Sequence, residues 1–336
     1  WQQVLRLPRV SVHDNFFEIG GHSLLVVQLM TRIEQVLHVG IPVIELYKHP
    51  TVAALAEYVV TVATGSDTER SASPLVVLSA RDSGTPLVVI PGIIGALHGY
   101  YDFARAVGES RPVFGLHASS AREIANGHTV ESIARLYVSS LHEVWDGGPL
   151  HLLGHSYGGI VAFEMVRQLE EQGHQPRSLI LVDVDPLALR TKDLAPDIFA
   201  LQYMLKFLRI DDVVPRDLEP ADGEDVASLL DDLATRHHQQ VSSGRQHLAE
   251  WIHTIRSRYT QTYAPAPYQP AADILHVWAQ HGASLHGASE AWKKVLRKET
   301  DRVVVPGDHE SLISREHATQ LARTVNAWIA GGLKPE

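Results

Sequence analysis

The chain has 336 residues, 45% of them hydrophobic, and a formal net charge of −10 at pH 7. This length predicts about two domains with a sizeable core, and the acidic balance without a basic stripe argues against a nucleic-acid partner. The sequence contains no cysteine, which excludes disulfides, thiolate metal sites and a cysteine nucleophile. It also has no signal peptide and no apolar run long enough to span a bilayer, so we expect a cytoplasmic protein without a membrane partner.

Residues 1–63 predict a small all-α domain. The chain opens at Trp1 within a predicted helix, which we interpret as an N-terminal truncation of this domain. Ser23 is predicted to be the N-cap of a helix, because Leu25 begins a run of apolar residues at helical spacing. A second helix is predicted over residues 51–62, and the small polar residues 64–73 predict a flexible linker.

From residue 74 onward, apolar runs alternate with amphipathic helices, which is typical of an α/β fold with a mostly parallel, doubly wound sheet. The runs are continuously apolar, as expected of strands that are buried on both faces. The predicted strands are residues 75–78, 87–90, 113–116, 150–153, 179–182, 274–278 and 302–305. The predicted helices are residues 101–107, 130–144, 160–172 and 316–329.

Residues 187–263 interrupt this alternation with amphipathic helices. We interpret them as a helical lid over the carboxyl edge of the sheet, inserted into a domain that spans residues 74–336. The apolar residues that define its helix faces are Ile198, Leu201, Leu205, Leu208, Leu248, Trp251, Ile252, Ile255 and Tyr259.

The motif Gly154-His155-Ser156-Tyr157-Gly158 lies between a predicted strand and a predicted helix. In a nucleophile elbow of the form Gly-x-Ser-x-Gly, the serine sits on a strained corner and its hydroxyl stands clear of the sheet. The glycines are needed because a Cβ there would collide with the neighbouring strand or helix. His155 is expected to point away from Ser156. The alternative is an ordinary strand-to-helix turn that happens to contain a serine.

A serine nucleophile needs a base, and the base needs an orienting acid, which follow in the order Ser, Asp or Glu, His in doubly wound hydrolases. Asp183 directly follows the strand after the elbow helix and is the preferred acid. Asp185 shares its strand parity and remains an alternative. His309 follows the last predicted strand and is the candidate base.

An oxyanion hole requires two backbone N–H groups. We predict that they come from Tyr157, which follows the serine, and from Ile93, in the loop after strand 87–90. The chain has 20 histidines, but they do not form a metal-ligand pattern, so no metal is expected. The histidines considered and set aside are His237, His238, His281 and His286.

The segment Asp14-Asn15-Phe16-Phe17-Glu18-Ile19-Gly20-Gly21-His22-Ser23-Leu24 is similar to the peptidyl carrier signature. With the elbow, Asp183 and His309, the chain resembles the C-terminal carrier–thioesterase pair of a nonribosomal peptide synthetase. The resemblance implies a four-helix carrier domain and an α/β-hydrolase domain. It also implies 4′-phosphopantetheine on Ser23 and release of a peptidyl thioester through Ser156, by hydrolysis or macrocyclisation.

The same resemblance implies three partners: the peptidyl substrate on the carrier arm, upstream condensation and adenylation domains of the same synthetase, and a phosphopantetheinyl transferase. Two other interpretations stay open. One is a stand-alone serine esterase or lipase with an accessory helical domain, and the other is a non-catalytic docking module. A reductase release domain is disfavoured, because no Gly-x-Gly-x-x-Gly motif opens the second domain.

Overall fold

The computed structural model describes residues 1–63, 73–117, 129–189, 194–207, 210, 226, 228–230, 245–282 and 285–332. The predicted linker therefore lies outside the described residues except at Ser73, and so do Leu208 and most of residues 208–244 of the predicted lid. The described residues fold as two compact units, one within residues 1–72 and 192–260, the other within residues 73–118, 127–191 and 261–336. The predicted domain boundaries, 1–63, 64–73 and 74–336, stay a prediction.

Eleven α-helices and seven strands are defined in the part of the chain that the structure describes. The helices are α1 (Gln2–Leu5), α2 (Ser23–Leu37), α3 (Val43–Lys48), α4 (Val52–Ala63), α5 (Tyr101–Val107), α6 (Val130–Leu141), α7 (Tyr157–Glu171), α8 (Pro196–Phe207), α9 (Arg245–Thr260), α10 (Leu285–Leu296) and α11 (Arg315–Ile329). The strands are β1 (Leu75–Ser79), β2 (Leu87–Ile90), β3 (Val113–Leu116), β4 (His151–His155), β5 (Ser178–Val182), β6 (Asp273–Ala279) and β7 (Asp301–Val305).

An aromatic cluster forms the core of the helices at the start of the chain. Phe16 lies edge-on to both Trp1 and Phe17, and Phe17 stacks on Tyr47, with ring centroids 5.1, 5.3 and 5.1 Å apart. Phe16 and Tyr47 are fully buried. The cluster joins the loop before α2 to α3, so it fixes where that loop enters α2.

Ser23 is not the N-cap of α2, as the sequence predicted, but its first helical residue. The cap is His22, whose backbone is extended at φ −138° and ψ 173°. Gly21 packs so closely on Phe16 that a Cβ would lie 2.2 Å from its ring. This turn brings the chain into the helix at residue 23, one position earlier than expected.

The seven strands form one sheet in the order β1-β3-β2-β4-β5-β6-β7. Only β1 is antiparallel to its neighbour, and the other described pairs are parallel. Every residue of β2, β4 and β5 is buried, which explains the apolar residues throughout β2 and in the apolar runs of β4 and β5. The mostly parallel sheet is confirmed, and the carboxyl ends of β2 and of β4 to β7 lie along one edge.

Helices α8 and α9 pack on each other inside the first unit. Phe199 stacks on Tyr259 with ring centroids 3.9 Å apart, and Arg256 pairs with Asp197 at 2.7 Å. The predicted apolar face of α9 is buried. That these helices cover the edge of the sheet stays a prediction. No helix among the described residues is both long and apolar enough to cross a membrane.

Candidate active site

Ser156 occupies the corner between β4 and α7. Its backbone is left-handed at φ 54° and ψ −128°, which is a strained conformation for a residue with a side chain. Its N–H donates to the carbonyl of Val182 in β5 at 3.0 Å. This hydrogen bond to β5 holds the strained corner against the sheet. The corner directs the half-buried hydroxyl of Ser156 away from the strands.

Two glycines allow α7 to lie directly on the strands. A Cβ on Gly154 would come within 2.4 Å of the Gly158 carbonyl oxygen. A Cβ on Gly158 would come within 2.3 Å of the carbonyl oxygen of Ile90 in β2. Side chains at either position would force the helix away from the sheet, so the predicted reason for both glycines is confirmed.

His309 connects Ser156 to Asp183 through both ring nitrogens. Nε2 lies 2.9 Å from Oγ of Ser156, and Nδ1 lies 2.6 Å from Oδ2 of Asp183. The three residues follow β4, β5 and β7, so the carboxyl edge of the sheet brings together side chains that are far apart in sequence. Asp183 is buried, whereas 33% of the His309 side chain is exposed. The base is thus partly accessible to solvent, whereas the acid is not.

The environment of Asp183 favours its charged form. Burial raises the pKa of this carboxyl group, but hydrogen bonds from His309 and from the N–H of Ala279, at 3.3 Å, outweigh it, so the pKa lies below its usual value. The other candidate acid, Asp185, accepts a hydrogen bond from the N–H of Leu187 at 2.9 Å. The structure places Asp183, rather than Asp185, on His309.

The two residues predicted to supply the oxyanion donors, Tyr157 and Ile93, belong to segments next to Ser156. Tyr157 is the first residue of α7, where the helix dipole favours negative charge. Ile93 lies in a turn that is closed by a hydrogen bond from the N–H of Gly95 to the carbonyl of Gly92, at 2.9 Å. A Cβ on Gly92 would lie 3.6 Å from Cβ of Ser156, so this turn lies directly against the serine.

His155 lies closer to the site than the sequence indicated. It was expected to point away from Ser156, and its ring in fact lies beside that of His309, with centroids 4.9 Å apart. Its Nε2 is 2.9 Å from the backbone carbonyl oxygen of His309. The available sequence signal was a histidine directly before the candidate nucleophile.

Ser23 lies at the start of a fifteen-residue helix, after two glycines. Gly20 has a left-handed backbone at φ 111°, and the N–H groups of the first turn of α2 have no partner within the helix. A phosphodiester on Ser23 fits this position, because a helix N-terminus stabilises negative charge. The described residues are thus compatible with a phosphopantetheine group there.

The described residues include no group of three or more His, Asp or Glu side chains that could hold a metal ion. His281 is described and exposed. His237, His238 and the side chain of His286 lie outside the described residues.

Two family models match the chain. Residues 85–329 match the thioesterase domain, and residues 1–59 match the phosphopantetheine attachment site. Together they confirm the predicted pairing of a carrier with a thioesterase.

Curated relatives include multidomain synthetases. The chain is 26% identical to an inactive atromentin synthetase (invA6) of Paxillus involutus, over 94% of this chain and 34% of the relative. It is 26% identical to the atromentin synthetase of Tapinella panuoides, over 95% of this chain and 35% of the relative. It is 36% identical to a dimodular nonribosomal peptide synthase of Bacillus subtilis, over 59% of this chain and 8% of the relative. The chain spans about a third of the length of the atromentin synthetases.

Solved structures share the fold. The four-domain nonribosomal peptide synthetase holo-AB3403 matches 97% of this chain with 25% of its own, at a TM-score of 0.65 and 24% identity. The NocB thioesterase domain matches 74% of this chain with 96% of its own, at a TM-score of 0.53 and 22% identity. At these identities the likeness concerns the fold, which is that of the α/β hydrolases.

Proposed function

Because the chain belongs to the thioesterase domain family and carries a phosphopantetheine attachment domain before it, we propose that it releases a carrier-bound acyl or peptidyl thioester through Ser156. The observation that carries this proposal is the hydrogen-bonded set of Ser156, His309 and Asp183. It lies within the residues that match the thioesterase model. Acyl transfer to a serine requires a base on its hydroxyl and an acid on that base, and this set supplies both.

In the first step, Nε2 of His309 takes the proton of the Ser156 hydroxyl while Oγ attacks the thioester carbonyl carbon. The N–H groups of Tyr157 and Ile93 donate to the oxygen that becomes negative. Asp183 holds the imidazole in the required tautomer and stabilises its protonated form. When the carbon–sulfur bond breaks, His309 returns the proton to the leaving thiolate, and the acyl group stays on Ser156 as an ester.

In the second step, a nucleophile attacks the ester on Ser156, and His309 again acts as the base. Water gives a linear carboxylic acid, whereas a hydroxyl or amine of the acyl chain itself gives a ring. Either attack returns the proton through His309 to Ser156 and restores the free enzyme. Hydrolysis and macrocyclisation therefore use the same residues, and the product depends on which nucleophile reaches the ester.

Ser23 is the proposed attachment residue of the carrier domain. A 4′-phosphopantetheine group there would supply the terminal thiol to which the acyl chain is esterified. The start of α2 favours the phosphate, because a helix N-terminus stabilises negative charge. The proposed partners are a phosphopantetheinyl transferase and the upstream condensation and adenylation domains of a nonribosomal peptide synthetase, which the shared architecture of the relatives supports.

The test is to load an acyl-phosphopantetheine onto the chain with a transferase and to follow its release by mass spectrometry. Native protein should lose the acyl group, while Ser156→Ala should keep it on Ser23. Ser132→Ala, a serine of α6 outside the hydrogen-bonded set, should release it at the native rate. Undiminished release by Ser156→Ala would overturn the assignment of the nucleophile.

The carrier half is tested separately. If a phosphopantetheinyl transferase adds no mass to the native chain, or adds it equally to Ser23→Ala, the stand-alone esterase interpretation replaces the one proposed.

Some relatives are named inactive, so the reactivity of Ser156 needs its own measurement. A fluorophosphonate probe should label native protein and not Ser156→Ala. Absence of labelling in the native protein would favour a non-catalytic docking module.

A further inference from the structure

His155 is a buried polar residue that the proposed acyl transfer does not use. It ends β4, next to Ser156, and is only 2% exposed. One ring nitrogen, Nε2, lies 2.9 Å from the backbone carbonyl oxygen of His309. The ring therefore joins the strand that carries the serine to the loop that carries the base.

The contact defines the tautomer of His155. A carbonyl oxygen can only accept, so Nε2 carries the proton and donates it, and Nδ1 is left unprotonated. Burial and the neighbouring His309 lower the pKa of His155 to about 3, although its hydrogen bond to the His309 carbonyl opposes this shift. His155 is thus neutral throughout the range in which a serine–histidine pair works, and it acts as a fixed donor.

The other side of the ring faces the turn that carries Ile93. Nδ1 of His155 has no hydrogen-bond partner among the described residues, and a Cβ on Gly92 would lie 3.5 Å from it. Leaving a buried ring nitrogen unpaired is costly, and an apolar side chain would fill the space without that cost. A histidine is therefore favoured over an apolar side chain here if its Nε2–H is needed as a donor, because that hydrogen bond compensates for the unpaired Nδ1.

The loop that carries His309, residues 306–310, is also held by hydrogen bonds on either side of that residue. The carbonyl of Gly307 accepts a hydrogen bond from His281 at 3.0 Å, and the carboxylate of Asp308 caps the next turn by accepting from Glu310 and Ser311. The bond from His155 ties the backbone of residue 309 to the end of β4.

We propose that His155 is a positioning residue for the base, and that its Nε2–H fixes the backbone of His309 so that the imidazole meets the Ser156 hydroxyl. This inference rests on the proposed function, because it assigns His155 a part in the same acyl transfer. A displacement of about 1 Å in a reacting group can cost roughly 10²-fold in rate, so one hydrogen bond to the base loop has a measurable effect.

The test compares two substitutions of similar length in the full chain. His155→Gln places an amide N–H where the imidazole donates, and His155→Met fills the space without a donor. With an acyl thioester of N-acetylcysteamine as the probe, His155→Met should lower kcat about 10²-fold with little change in KM. His155→Gln should remain within about tenfold of native protein.

A buried histidine of the same strand provides the matched control. His151 is 1% exposed, and its Nδ1 lies 3.1 Å from Oγ of Ser178, at the opposite end of β4 from Ser156. His151→Leu should lower thermal stability but leave kcat unchanged. An equal loss of kcat in His151→Leu and His155→Met would reduce His155 to a packing residue.

The rate of His155→Met, compared with that of Ser156→Ala, separates the positioning role from the proposed function. Native kcat in His155→Met, with Ser156→Ala inactive, overturns the positioning role and leaves the proposed function intact, whereas turnover by Ser156→Ala overturns the proposed function itself. If His155→Met does not fold, the native protein still provides the test, because long-range ¹H–¹⁵N spectra report the tautomer. A proton on Nε2 supports the proposal, and a proton on Nδ1 overturns it.

Discussion

Asp183 combines a strained backbone with a buried charge. Its φ of 49° is left-handed, and its N–H donates to the carbonyl of Val277 in β6 at 2.8 Å. Its two carboxylate oxygens accept from His309 and from Ala279. The backbone N–H and both carboxylate oxygens of Asp183 therefore have defined partners, which is the arrangement expected where a side chain must hold another in one orientation.

Asp183→Asn should retain the fold and lower kcat by about 10⁴-fold. The amide has nearly the same shape, but it favours the wrong tautomer of His309, in which Nε2 carries a proton and cannot accept one from Ser156. Thioester turnover by purified protein measures the rate, and circular dichroism checks the fold. Asp185→Asn is the matched control and should lose less than about tenfold. The opposite ranking would make Asp185 the acid.

At the scale of elements, α7 holds the segment that leads back from the predicted lid to β6. We call residues 261–272 the return segment. Gln261 accepts a hydrogen bond from the hydroxyl of Tyr157 at 2.8 Å, and Tyr263 donates to the buried carboxylate of Glu164 at 2.9 Å. Further along, Tyr268 donates to Glu170. The helix that begins at the nucleophile thus fixes the path of the return segment along its whole length.

Glu170→Ala should lower the free energy of unfolding by about 1–3 kcal/mol, because a carboxylate that accepts several hydrogen bonds is lost. It accepts from the Tyr268 hydroxyl and from the N–H groups of Ala271 and Ala272, at 2.9 and 3.4 Å. Urea denaturation gives the free energy, and hydrogen exchange should rise at Ala271. Glu171→Ala, the neighbouring position paired with Arg167, should cost less than about 1 kcal/mol. Equal effects would contradict a specific role for Glu170.

The strands could be predicted from the sequence because burial on both faces leaves continuous apolar runs. No predicted strand boundary is displaced by more than two residues. Helices α3 and α10 were not predicted. The first is six residues long, too short to form without its buried contacts, and the second contains Gly287, which weakens a helical pattern. Trp292 of α10 donates to the carbonyl of Val184 at 2.7 Å, a tertiary contact that no local pattern reveals.

The positions of Ser156, Asp183 and His309 could be predicted because each follows a strand, and their order along the chain is that of a known catalytic set. The environment of His155 could not be predicted. Its partner lies 154 residues away, on a loop at the end of β7, and the contact exists only once four strands are aligned side by side. Sequence periodicity gives the face of a strand, but not which distant loop meets it.

For the molecule as a whole, three buried histidines predict sensitivity to mild acid. Burial is the largest cause that lowers the pKa of His151 to about 4 and those of His155 and His276 to about 3. Between pH 6.5, the ordinary histidine value, and these folded-state values, the unfolded chain binds protons that the folded chain does not. Stability therefore falls as the pH drops through this interval.

Because each of these histidines binds a proton only in the unfolded chain, it should lower the free energy of unfolding by about 1.4 kcal/mol for every unit by which the pH falls within that interval. Urea denaturation at about pH 7 and about pH 5.5 measures the change. His276→Gln should make the dependence on pH shallower by the contribution of one histidine, because the neutral amide binds no proton. An unfolding free energy that is the same at both values of pH would show that the buried rings do not control acid stability.

The register of β5 and β6 has a consequence for how such proteins diversify. Ser178 pairs with Asp273 and Val182 with Val277, although residues 183–272 separate the two strands in sequence. Because the two strands are parallel, the intervening polypeptide leaves the sheet at the carboxyl end of β5 and rejoins it at the amino end of β6, about 13 Å back along the strand direction. The entropy of closing such an excursion grows only slowly with its length. The residues between Asp183 and the return segment can thus be exchanged between related chains without replacing Ser156, Asp183 or His309.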